Sequence, residues 1–306
     1  MQKGFTDNTW FIGASKKSDK ITYVIFLSCA LLTILTTIGI VTILLVEGLQ
    51  FFREISVIEF FTESKWTPLF PSAHFGIAPL LVGTMLIAFG AAFVCVPLGT
   101  LTAIFLAELA PDKVRALMKP ILEVLAGIPT VVYGYFALTF ISPILQNNIS
   151  EEIELFNALA GMIVVGIMTL PMVCSISDDA INAVPASLRE ASYGLGATKY
   201  ETITKITVPA ALSGIVASYI LAFSRAVGET MAVTIAAGAM PNLTLNPLEG
   251  VQTMTAFIVQ LSLGDTPHGT IEFKSIFAVA MTLFLLTLIM NVISTLIIEK
   301  FKEQYE

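Results

Sequence analysis

Charge is the scarcest property of this sequence: 13% of its 306 residues are Asp, Glu, Lys or Arg, against 56% hydrophobic, where a soluble domain carries about a quarter charged. That deficit makes lipid the solvent. The net charge of −7 averages loops that face different compartments and does not indicate a soluble acidic protein. Cysteine is nearly absent, and Cys29, Cys95 and Cys174 all lie inside apolar runs. This excludes a disulfide framework or thiolate metal cluster and leaves three small hydrophobic packers. His74 and His268 are the two histidines; both fall in external loops and read as ordinary solvated residues. No Gly-x-x-x-x-Gly-Lys-[Ser/Thr] phosphate loop occurs, so any ATP or Mg must be used by another chain, and no cofactor is expected on this one. Without a metal-ligand set, nucleophile motif or oriented base, a membrane enzyme is the least favoured class, and nothing points to nucleic acid.

What the sequence does hold is long apolar runs. A bilayer core of about 30 Å takes roughly 20 helical residues. Six spans meet that ruler: Ile21 to Val46, Gly76 to Ala107 (a late start at Pro79 and a kink at Pro97), Val124 to Leu145, Leu155 to Ser177, Ala210 to Met240, and Ser275 to Ile298. The first is too long for a signal-peptide core and reads as a retained anchor. With the amino terminus in the cytoplasm, twelve of the 16 Lys and Arg fall on the cytoplasmic side and three, Arg53, Lys65 and Lys274, outside; Arg225 lies within the fifth span. This segregation places both termini in the cytoplasm of a multi-pass protein of a prokaryotic inner membrane. The expected layout is a cytoplasmic segment (1–20), a first helix (21–46), an external loop (47–75), a permease domain (76–298) and a cytoplasmic tail (299–306). In the external loop, Phe51, Phe52, Phe60, Phe61 and Trp66 are expected to anchor a short helix along the interface.

The cytoplasmic stretch Asp178 to Leu212 is longer than a turn requires. Ser187 three residues before Glu190 predicts a capping box opening a short helix; Gly194 and Gly196 end it. A second helix from about Lys199 to Thr207 should stop at Pro209. A helix, a glycine turn and a helix form a knob suited to a groove on a partner. Here Glu190, Ala191, Gly196, Ile206 and Pro209 resemble, at the right spacing, the EAA motif of binding-protein-dependent ABC importer permeases, with Ser192 and Val208 as mild departures. That resemblance implies an all-α type I importer permease fold whose coupling helices fit a separate cytoplasmic ATPase.

The fifth span carries Arg225 and Glu229, each costly inside a membrane. Four apart on a continuous helix, they share a face and are placed to pair. Ser218, Ala222, Gly228, Ala232 and Ala236 complete a small or polar stripe that lines a pathway or a close helix contact. The planar guanidinium of Arg225 suits an oxyanion, with Glu229 neutralising it when the pathway is empty; a permanent structural ion pair is the competing reading.

The string Arg225-Ala-Val-Gly-Glu-Thr230 resembles a signature of phosphate-specific permeases, and the following Met-Ala-Val is similar to the PstC-type subunit. Ala126-Gly-Ile-Pro-Thr-Val-Val-Tyr-Gly134 is similar to a stretch of the same family. The likeness implies roles in phosphate passage for Arg225 and Glu229, and adds Thr130, Tyr133 and Thr230 as candidates lining the path. It also implies partners: a homologous PstA-type permease, a PstB-type ATPase dimer and an external PstS-type phosphate-binding protein. Glu123, at the start of the third span, receives no role. Another oxyanion such as sulfate or molybdate is the runner-up cargo. An ATP-independent secondary transporter would leave the Glu190 to Pro209 segment unexplained.

Overall fold

The computed structural model describes residues 10–301, so Lys3 and Lys302 and the outer parts of both terminal segments lie outside it. Among the described residues every regular element is helical. In order they are α1 (Trp10–Glu54), α2 (Val57–Thr62), α3 (Ala78–Ile104), α4 (Asp112–Gly127), α5 (Thr130–Phe136), α6 (Ser142–Asn148), α7 (Ala158–Asn182), α8 (Ala186–Gly194), α9 (Lys199–Thr202), α10 (Val208–Ala210), α11 (Leu212–Val227), α12 (Met231–Ala237), α13 (Met254–Ser262) and α14 (Ile271–Phe301). Three π-helical turns, Phe105–Leu109, Ala137–Ile141 and Ile203–Thr207, extend α3, join α5 to α6 and join α9 to α10.

Four helices are long and apolar enough to cross a membrane singly: Lys20–Glu54, Ala78–Leu109, Ala158–Asn182 and Ile271–Ile297. Two bent pairs bring the total among the described residues to six when each pair is counted as one span, Asp112–Gly127 with Thr130–Asn148 (90°) and Lys199–Ala210 with Leu212–Val227 (66°). Neither the third nor the fifth span is therefore the single rod the apolar runs predict. Pro129 forces Ile128 into an extended conformation (ψ 129°), so residues 124–127 belong to α4 and the crossing begins at Thr130. In the fifth, the chain breaks at Ala211 and again across Gly228–Thr230. Pro209 does not stop the preceding helix. It occupies the first turn of α10 just after a π-helical turn, where a missing N–H is tolerated.

The centre of the bundle is α3 packed on α7, with α11 across both. Small residues set how near the backbones come. A Cβ on Gly90 would lie 2.3 Å from Met162 Cγ, and one on Gly166 2.6 Å from Val94 Cβ, so any side chain there would push the helices apart. The membrane stretch of α1 is unburied within this chain.

At the end of the bundle where α1 stops, Phe51, Phe60, Trp66, Phe75 and Phe257 pack edge to face, with ring centroids 4.8–6.2 Å apart. This corrects the expectation of interfacial anchors: Phe51, Phe60 and Trp66 are essentially fully buried, and Phe61 is exposed. A bridge between Trp66 and Phe75 folds the loop into a hairpin over α13, so the aromatic rings bury one another rather than insert in lipid. His74 is likewise not a free solvated residue, because its Nδ1 bonds the Glu63 carboxylate. The nine-residue α13 sits inside what reads in sequence as an external loop. It is capped by Thr253 and pinned by Met254 N–H donating to Thr84 Oγ1 (3.0 Å).

Candidate functional site

Two arms project from the end of the bundle opposite the aromatic cluster. The first, α8, starts on Pro185 with no side-chain cap, so Ser187 lies within its first turn and the expected capping box is not formed. The box occurs one arm later. Thr198 accepts from Glu201 N–H (3.3 Å), and the Glu201 carboxylate accepts from Thr198 N–H (3.0 Å), through the same Thr-x-x-Glu spacing that sequence reasoning passed over. These bonds, chiefly with the Thr198 backbone and helped by Lys205, hold the Glu201 carboxyl down to about 2. Gly196 turns the chain between the arms at φ +85°, a conformation side-chain-bearing residues rarely take. Ser192, at the second alanine position of the motif, is buried and shares a hydrogen bond with Thr202 (2.9 Å) across the arms.

Ala191, Gly196 and Ile206 line a cleft of about 510 Å³ between the arms, while Glu190 and Pro209 are exposed beside it. Leu195 at the turn is 90% exposed and Tyr200 76%. An apolar tip of this kind needs a covering surface.

The arms are fixed to the bundle by ion pairs that sequence reasoning missed. Arg189, on α8, donates to Glu108 (3.0 Å) at the end of α3 and to the carbonyls of Val184 (2.8 Å) and Ile181 (2.7 Å) at the end of α7. One guanidinium thus satisfies open carbonyls at a helix end and a buried carboxylate together. Nearby, buried Asp178 on α7 holds Lys119 (2.8 Å) and Arg115 (3.4 Å) of α4. In sequence these charges read as topological markers, and their partners lie 59–81 positions away, beyond local pattern.

Within the bundle, the break after Gly228 separates Arg225 from Glu229. The continuous helix that would pair them is absent, and no ion pair joins them among the described residues. Glu229 is buried, accepts from Ala232 N–H (3.2 Å) and, through its carbonyl, from Thr255 Oγ1 (2.7 Å). It therefore satisfies backbone exposed by the break, which hydrocarbon cannot do. Thr230 precedes α12 and is half-buried. The predicted stripe divides at the same point. Ser218 is fully buried, hydrogen-bonded to Ser177 of α7 (2.9 Å), and Ala222, Ala232 and Ala236 are buried as well. These residues make close helix contacts.

Arg225 remains open. It is exposed, has no hydrogen-bond or ion-pair partner among the described residues, and lines a cleft of about 340 Å³ formed by α4, α7 and α11. Tyr133 and Thr130 stand apart from that cleft. Tyr133 is buried and its hydroxyl donates to Leu125 O (2.7 Å), bracing the right-angle bend between α4 and α5, and Thr130 opens α5, half-buried.

A bundle with two broken spans, projecting arms and an exposed arginine in a cleft between helices is the architecture of a membrane permease. The comparisons agree. Residues 96–303 match the family described as binding-protein-dependent transport system inner membrane component, and the chain belongs to that family. It is 36% identical over 262 residues to "Probable ABC transporter permease protein YqgH" of Bacillus subtilis (strain 168), covering 85% of this chain and 84% of that one. It is 30% identical over 253 residues to the phosphate transport system permease protein PstC of Mesorhizobium japonicum, covering 77% and 76%. In fold it is similar to a chain of a bacterial alginate ABC transporter (TM-score 0.62, 17% identity, 94% of this chain and 96% of that). It is also similar to one of the MetNI methionine ABC transporter in inward-facing form (TM-score 0.56, 17% identity, 74% and 95%).

Proposed function

We propose that this chain is a PstC-type permease subunit that forms part of the pathway for inorganic phosphate in an ATP-driven importer. The observation that carries the reading is Arg225, an arginine exposed in a cleft between α4, α7 and α11 with no anionic partner among the described residues. Such a charge is costly in a membrane protein unless an anion or water meets it, and a planar donor fork matches phosphate oxygens. The likeness to phosphate permeases of the PstC type supports the choice of anion.

The remaining machinery is what the likeness to phosphate permeases implies. A homologous PstA-type permease completes the pathway, a PstB-type ATPase dimer binds ATP and Mg, and an external PstS-type protein delivers phosphate. The arms built on Glu190, Ala191, Gly196, Ile206 and Pro209 face the cytoplasmic ATPase, with both termini on that side. Arg189 and the Asp178 cluster carry arm movement into α3, α7 and α4. Glu229, Thr230, Ser218, Thr130 and Tyr133 act by shaping the broken helices around Arg225.

The test is ATP-dependent uptake of labelled phosphate by the assembled complex in proteoliposomes. Uptake that needs ATPase and binding protein, and is lost in Arg225→Gln, is the expected result. Uptake by this chain alone, or full uptake in Arg225→Gln, overturns the reading.

A further inference from the structure

The cleft that holds Arg225 contains one other ionisable side chain, Glu123 of α4, and the rest of its lining is apolar apart from Ser175. Glu123 also lines the adjoining cavity of about 190 Å³, with Lys119, Asp178 and Asp179. It is the one ionisable residue common to both spaces. No ion pair joins Glu123 to Arg225 among the described residues, so the two charges face a shared space with room between them. Glu229, the carboxylate that sequence spacing gives to Arg225, is committed to the α12 backbone.

A carboxylate beside an anion site is a handicap unless the anion brings a proton. A carboxylate accepts hydrogen bonds and donates none. At neutral pH inorganic phosphate keeps at least one oxygen protonated, so it presents both charge for a guanidinium and an O–H donor for a carboxylate. Sulfate presents only acceptor oxygens, and against Glu123 it meets like charge and an unmet acceptor. A site built around a substrate O–H rejects the analogue lacking it far more strongly than one built on shape.

We infer that Glu123 is a specificity-determining residue of the permease: it accepts the hydrogen bond of the protonated phosphate oxygen while Arg225 neutralises the anion, and it thereby excludes sulfate and other fully deprotonated oxyanions. The inference rests on the phosphate reading above and adds a selectivity filter inside the membrane subunit. α4 is well placed for this. Its position is set by Lys119 and Arg115 on Asp178 of α7 and by the Tyr133–Leu125 brace to α5, so the Glu123–Arg225 spacing follows movements of α7 against α11.

The experiment uses the full membrane complex, this chain with its second permease and ATPase dimer in lipid nanodiscs, with the binding protein omitted so that its own selectivity does not intervene. Retention of labelled phosphate is measured against unlabelled sulfate. The native complex is expected to prefer phosphate by roughly ten- to hundredfold, the worth of one charge-assisted hydrogen bond. Glu123→Gln, whose amide also donates, should bring sulfate to within about threefold of phosphate, and Glu123→Asp should retain the preference. An unchanged preference in Glu123→Gln overturns the inference and leaves the Arg225 reading standing, provided Arg225→Gln abolishes retention. Retention that survives Arg225→Gln overturns the phosphate reading itself. A native complex that retains no phosphate without the binding protein overturns the inference, whereas the phosphate reading stands or falls on the uptake assay.

Discussion

The two ends of this bundle are held together by opposite means. The end where α1 stops is an aromatic cluster in which Trp66 and Phe257 meet at 4.8 Å and Phe51 and Phe60 are fully buried. The end that carries the arms is a lattice of ion pairs on buried carboxylates, Arg189 with Glu108, and Asp178 with Lys119 and Arg115. Aromatic packing is broad and tolerates no vacancy, so it makes a rigid platform. A guanidinium on defined carbonyls and a carboxylate instead fixes direction and distance, and it re-forms when partners shift together. The proposed importer, driven at one end and supplied with cargo at the other, has use for both: force would enter where the joints are directional, and shape would be kept where they are not.

The sharpest way to break this comparison is at Trp66. Trp66→Ala empties the centre of the aromatic cluster and should cost about 3–5 kcal/mol, read as a lower thermal midpoint of the purified complex, while phosphate moved per ATP stays as in the native protein. A changed ratio would show that the aromatic end transmits force. Next is Arg189→Gln, which leaves buried Glu108 without its cation. A loss of about 2–4 kcal/mol is expected, together with ATP hydrolysis that no longer drives uptake. Coupling retained in Glu108→Gln, which leaves Arg189 on the Val184 and Ile181 carbonyls, would show that the helix-end bonds rather than the ion pair are what matters.

A smaller effect is expected at Tyr133→Phe. It removes the hydrogen bond to Leu125 O and should cost about 1 kcal/mol, with lower uptake at unchanged complex assembly if the bend between α4 and α5 positions the cleft. The smallest concerns pH at the arms. The Glu201 carboxyl is held at about 2, below its ordinary 4.5. Because the folded value is the lower one, its contribution is fully present above about 4.5 and is lost as pH falls toward 2. Protection of the Lys199–Thr202 amides from hydrogen exchange should be flat from pH 7 to 5 and fall below that, and Glu201→Gln should remove the dependence.

Much of the protein is legible in the sequence because the bilayer imposes a ruler. Six apolar runs and the Glu190 to Pro209 motif determine the class, up to six spans and the two arms. They do so because hydrophobic length and residue spacing act locally along the chain. Sequence also singles out Arg225, since an intramembrane charge demands a reason. What it does not determine is where helices stop being helices. Pro129 marks the first break in the sequence, but no proline marks the second: the break across Gly228–Thr230 accompanies the packing of α12 on its neighbours, and it takes Glu229 away from Arg225. The ion-pair partners of Arg189 and Asp178 are likewise set by tertiary structure alone. Periodicity shows which residues share a face of one unbroken helix; only the folded chain decides which face of another helix, α4 with Glu123 among them, is brought opposite.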